Sequence, residues 1–190
     1  MTTQTAAVYS LIKPANRWAE AVLLVGFNAL LVLCSYVSIN LPFSPVPITG
    51  QTFGVLLIAM ALGRLRGTAV VLAYLAEGAA GLPVFAGGTA GIIKFAGPTG
   101  GYLIGFLASA WVVGYLADKG WDKKYYLSIA AMIIGTAIIF AFGLTWLSRW
   151  VPDSVLLATG FFPFLPGAVI KIALAAIILP SVWKFARPGQ

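Results

Sequence analysis

Two ionisable residues, Glu77 and Lys171, sit within stretches otherwise apolar enough to cross a membrane. A charge inside a bilayer is costly, and is kept where it is paired or serves a ligand. Lys171 follows Pro166 by five residues, on the order of 6 to 8 Å below the outer end of its helix at 1.5 Å per residue. Glu77 lies about one turn below the outer end of another. With Lys94 above them in a glycine-rich segment, the three make a net positive site suited to an anionic small molecule. Two other readings stand beside this one: Glu77 and Lys171 pair with each other, or Lys171 extends to the headgroups.

Neutral hydrogen-bonding groups concentrate between Asn40 and Thr52, where Asn40, Ser44, Thr49, Gln51 and Thr52 alternate with Pro42, Pro45 and Pro47. Prolines fix the backbone, so the segment either caps a pocket or forms a rigid connector whose polar groups meet water. The glycine-rich segment 81–102 holds seven glycines, which permit close approach of backbone to a ligand or a helix. It lacks the G-x-x-x-x-G-K-[ST] pattern of a phosphate-binding loop. Other chemistries find little support. The chain has no histidine and its five acids are dispersed, which disfavours metal, hydrolytic and catalytic sites. No G-x-S-x-G nucleophile elbow is present. Nothing calls for a cofactor, and Cys34 reads as helix packing.

The elements that must position these residues follow from composition. Of 190 residues, 61% are hydrophobic and 9% charged, with mean hydropathy +0.97, against about a quarter charged in soluble domains. At ~20 residues per crossing, the sequence predicts an all-α polytopic membrane protein of six helices, forming a single integral membrane domain. The helices are expected at about 18–39, 51–62, 67–81, 101–117, 125–147 and 167–183. The first is read as a retained span, because its apolar run is long and no A-x-A cleavage site follows.

The net charge of +7 reports orientation. Lys13, Arg17, Arg64, Arg66, Lys119, Lys123, Lys124, Lys184 and Arg187 fall on one side, against Lys94 and Arg149 on the other. Short cytoplasmic loops carry the Lys/Arg excess, so both termini are expected in the cytoplasm, in a multi-pass protein of the cytoplasmic membrane with no nucleic-acid partner. Gly97, Gly101, Gly105 and Ser109 repeat at four-residue spacing, a face for close helix packing, within the chain or at an oligomer seam.

Four motifs carry a family resemblance. Pro45-Val46-Pro47-Ile48-Thr49 with Gln51-Thr52-Phe53, then Gly78-Ala79-Ala80-Gly81-Leu82-Pro83-Val84-Phe85, then Gly97-Pro98-Thr99-Gly100-Gly101-Tyr102 with Gly105-Phe106, and Phe164-Leu165-Pro166-Gly167 with Lys171, together resemble the BioY family. These are the substrate-binding S components of energy-coupling-factor (ECF) biotin transporters. The resemblance implies the ECF S-component fold of six helices, with biotin bound from the outer side beneath the first and third outer loops. It also implies a transmembrane coupling protein and two ATPase subunits as partners, although some members occur solitary or homo-oligomeric. Biotin has a carboxylate tail, an apolar thioether ring and a ureido head. Lys94 or Lys171 would meet the carboxylate, Phe43, Phe53, Phe85 and Tyr102 would form walls, and Thr49, Gln51 and Thr52 would serve as polar partners. Many members carry Asp directly after the Pro-Gly of the last helix, where this chain has Ala168; Glu77 is the expected substitute. Ala15 and Ala19 offer an A-x-x-x-A contact for a membrane partner. The alternative function is a stand-alone secondary transporter or facilitator for biotin or another small anionic vitamin.

Overall fold

A computed structural model of the chain describes residues 14–186, and they are mostly helical. Helix α1 (Arg17–Tyr36) starts where the Asn16 side chain accepts hydrogen bonds from the backbone N–H groups of Trp18 and Ala19, a conventional N-cap. It ends three residues short of the expected boundary. Val37 turns extended, and Ser38–Ile39 (β1) pairs antiparallel with Ile48–Thr49 (β2), Ser38 opposite Thr49 and Ile39 opposite Ile48. The proline-bearing segment between them is therefore the tip of a hairpin. Gly50 N–H closes its base by donating to Val37 O at 2.8 Å.

Helix α2 (Gln51–Ala79) occupies the place of two expected helices. It is interrupted at Gly63, whose φ of 78° and ψ of −177° lie where a side chain is disfavoured. The two arms lie against each other beyond this turn, since a Cβ on Gly67 would fall 2.7 Å from Ala59 Cα. Counted by length and hydropathy, five helical stretches among the described residues suit a membrane crossing: Arg17–Tyr36, Gln51–Ala79, Gly100–Asp118, Tyr125–Leu147 and Asp153–Ser181.

The glycine-rich segment contains a 3-10 turn (Ala86–Gly88) and a short helix α3 (Ile93–Ala96) before α4 (Gly100–Asp118). A second 3-10 turn (Trp121–Lys123) leads to α5 (Tyr125–Leu147). The stretch read as a loop after it folds into α6 (Asp153–Gly160) and a 3-10 turn (Phe162–Phe164). Pro152 precedes Asp153 in the first turn, a start signal partly hidden by the surrounding prolines. The last helix, α7 (Leu165–Ala186), places Pro166 in its first turn, where its missing N–H costs nothing, and keeps Pro180 inside.

The α2 arms and α4 form the centre of the core, with Val55, Ile58, Val71, Tyr74, Ala110 and Val113 all fully buried. The repeat of small residues on α4 packs within the chain: a Cβ on Gly105 would lie 3.1 Å from Ile139 Cα of α5. Helix α1 stays peripheral, with Leu31 and Ser35 its buried residues. At the end holding the α2 turn, Glu20 and Arg66 form an ion pair at 2.6 Å, and Arg64 N–H donates to Asp118 Oδ2 at 3.1 Å. Lys119, Lys123 and Lys124 follow directly in sequence. Lys13 and Arg187 lie outside the described residues.

Candidate functional site

At the opposite end the elements enclose a cavity of about 500 Å³, within the range of small-molecule pockets. Its walls come from the β1–β2 hairpin, the start of α2, the glycine-rich segment, α4, α5 and the first two turns of α7. The hairpin tip covers it. Ser44 Oγ bonds both the Val46 carbonyl at 3.1 Å and the Thr159 carbonyl of α6 at 2.7 Å, joining two segments 115 residues apart. On the other flank, Ser35 Oγ donates to Val84 O at 2.6 Å and Tyr36 OH to Pro83 O at 2.9 Å. These bonds fasten the glycine-rich segment to α1.

Phe85 is seated by an absent side chain. A Cβ on Gly78 would fall 2.1 Å from its ring, so only glycine there lets the ring lie against α2, where it meets Tyr74 edge to face at 5.6 Å. Gln51 is 4% exposed and held on both sides: its Oε1 accepts from Thr49 Oγ1 at 3.1 Å and its Nε2 donates to Tyr74 OH. Tyr102 gives its hydroxyl hydrogen to Gly160 O at 2.8 Å, leaving its ring as a wall. Lys171 crosses from α7 to the hairpin base, where Nζ donates to Thr49 O and, at 3.0 Å, to Thr52 Oγ1. An ammonium has three hydrogens; one remains for a ligand.

Of the residues singled out by sequence, Thr49, Gln51, Thr52, Phe85, Lys94, Tyr102 and Lys171 line the cavity. Three expected there do not. Phe43 sits at the hairpin tip, 60% exposed, because the turn directs it outward. Phe53 packs beside the core instead. Glu77 is on the α2 arm that presents Tyr74 and Gly78 to Phe85, yet is itself off the wall, and no ion pair joins it to Lys171. The alternative in which Glu77 pairs with Lys171 is not formed here, and Glu77 is not among the lining residues that include Ala168, the position of the missing Asp. Ala15 precedes the Asn16 cap and lies outside α1, so it does not share a helical face with Ala19; both are exposed.

Thr136 and Phe140 of α5 also line the cavity. Sequence reading passed over them because that helix is apolar throughout, although their four-residue spacing puts them on one face. No acidic side chain is among the lining residues. Two lysines, a few fixed neutral dipoles and aromatic walls therefore suit an anionic, partly apolar molecule. Among the described residues no group of three His, Cys, Asp or Glu is placed to hold a metal.

The geometry has counterparts in known proteins. The BioY family model matches residues 3–188. The chain is 43% identical over 153 residues to the "Biotin transporter BioY" of Thermotoga maritima, covering 80% of this chain and 88% of that protein. It is 38% identical over 168 residues to the "Biotin transporter BioY" of Rhizobium etli, covering 84% and 90%. Among solved structures, the S-component for biotin from an ECF-type ABC transporter superposes with TM-score 0.78 at 29% identity, covering 90% of this chain and 95% of that one.

Proposed function

The chain belongs to the BioY family, and from that premise we propose that it takes up biotin across the cell membrane as the S component of an ECF transporter. The observation that carries the reading is the cavity beneath the hairpin, lined by Lys94 and Lys171 and by no acid. A carboxylate entering this space finds two cations, and the apolar body of the ligand finds Phe85, Tyr102 and Phe106. Lys94 has no hydrogen-bond or ion-pair partner for its ammonium among the described residues, whereas Lys171 is already held by Thr49 and Thr52. We assign the carboxylate to Lys94 on that ground and the polar head of the ligand to the Lys171–Gln51 side.

We further infer six crossings, counting the α2 arms on either side of Gly63 separately, with both termini in the cytoplasm. The back-folding at Gly63 and the gathering of basic residues at that end support this arrangement. A coupling protein and two ATPase subunits would supply the energy.

Equilibrium binding of labelled biotin to the purified protein in detergent tests the reading. Saturable binding at submicromolar biotin is expected; its absence would overturn the assignment.

A further inference from the structure

A groove on the flank of the molecule, between α4 and α5, stands apart from the cavity. It has a volume of about 360 Å³ and is lined by Gly101, Ile104, Ala141, Phe142, Thr145 and Trp146, with Arg149 at its mouth. Ile104 and Phe142 are 43% and 44% exposed, so the groove is open and apolar along the flank. At its floor α4 and α5 pack closely: a Cβ on Gly101 would fall 2.3 Å from Trp146 Cβ and 2.4 Å from the Phe142 carbonyl oxygen. Its one hydroxyl is spent internally, Thr145 Oγ1 donating to Ala141 O at 2.8 Å.

The polar end is built. The Trp146 indole N–H donates to Gly97 O at 2.9 Å, which fixes the ring. The Arg149 guanidinium stacks over that ring, 4.7 Å from its centroid. Arg149 has no carboxylate within ion-pair distance among the described residues. Apart from Lys94 and Lys171, which line the cavity, the described basic residues gather at the far end of the bundle, and an arginine outside the cavity at this end runs against that bias. A stacked guanidinium at the rim of an apolar groove complements a phosphate, which arginine binds through a planar fork of donors.

We propose that this groove binds a phospholipid of net negative charge, with one acyl chain against Ile104, Ala141 and Phe142 and its phosphate on Arg149. No acidic side chain lines the groove to receive a choline or ethanolamine cation, and such a cation would sit beside Arg149, so the net charge matters. Gly97, whose carbonyl holds Trp146, also lines the larger cavity; the bound lipid braces that shared wall.

Native mass spectrometry of the detergent-purified protein, titrated with phosphatidylglycerol or phosphatidylcholine, tests this. The unmodified chain is expected to retain one phosphatidylglycerol in preference to phosphatidylcholine, and millimolar inorganic phosphate is expected not to displace it. Arg149→Gln is expected to cut phosphatidylglycerol retention about tenfold, as befits a lost charge-assisted contact. Thr145→Phe, which fills the groove from an exposed position, should lower retention of both lipids. Equal retention of the two lipids by the unmodified chain would overturn the proposal, and that comparison needs no variant. So would undiminished phosphatidylglycerol binding in Arg149→Gln, displacement by free phosphate, or lipid retention unchanged in Thr145→Phe.

Discussion

Lys171 illustrates how much one side chain can carry. Two of its three hydrogens tie α7 to the hairpin base through Thr49 and Thr52, so it shapes the cavity as well as charging it. Lys171→Ala is therefore expected to weaken biotin binding by about 1.5–3 kcal/mol, the range for a hydrogen bond to a charged group, read as a ten- to hundredfold rise in Kd. Glu77→Ala is expected to leave Kd unchanged, because its side chain is off the cavity wall; a clear loss of affinity would restore the carboxylate to the site. Sequence alone made Lys171 and Glu77 look alike, each a charge about a turn below a helix end. What separated them is rotation about the helix axis, which depth does not report. The lysines, the Thr49–Thr52 segment and Phe85 were legible because prolines and glycines bracket them. Thr136 and Phe140 were not, since nothing in an apolar run marks the face that meets a ligand.

Among the elements, the hairpin and α2 depend most on local backbone chemistry. A β-strand pair after α1 left little trace in sequence, because two-residue strands are too short for alternation to show. The pairing is instead set by stereochemistry at Gly50, where a Cβ would fall 2.4 Å from Cys34 O. The Ser44–Thr159 bond is the tip's tie to α6, and Ser44→Ala is expected to raise the biotin dissociation rate several-fold, about what one neutral hydrogen bond of ~1 kcal/mol predicts, with stopped-flow release as the measurement. Gly63→Ala places a side chain at φ 78° and ψ −177°, a region held almost only by glycine and costing about 1–3 kcal/mol, and should lower the melting temperature in detergent by a few degrees. Arg64 and Arg66 announced a break here in the sequence. The arms' close contact was not announced, since it depends on Gly67 meeting Ala59.

At the scale of the whole molecule, the cavity is walled by nearly every element, so a ligand there fastens the hairpin, the glycine-rich segment, α4, α5 and α7 together. Binding only the folded state stabilises it by RT ln(1 + [L]/Kd). Biotin at a hundredfold excess over Kd is expected to add about 2.7 kcal/mol and raise the melting temperature; the Lys171→Ala variant should show a smaller shift at the same biotin concentration. The apolar composition and the sorting of basic residues made the membrane class legible from the chain alone. The count of crossings was less so, because the two arms of α2 meet at the tight turn of Gly63 with no loop between them.

That turn at Gly63 also sets depth. The arm Gln51–Gly63 is about 20 Å long at 1.5 Å per residue, while the hydrocarbon layer is ~30 Å thick. With the turn at one headgroup layer, Gln51 lies roughly 10 Å beneath the other, and the cavity floor beyond it at Leu56 lies nearer the midplane. A substrate held there has already left bulk water behind. Part of the desolvation of its passage is borne on entry, and about 10–20 Å of the hydrocarbon layer lies between it and the far side.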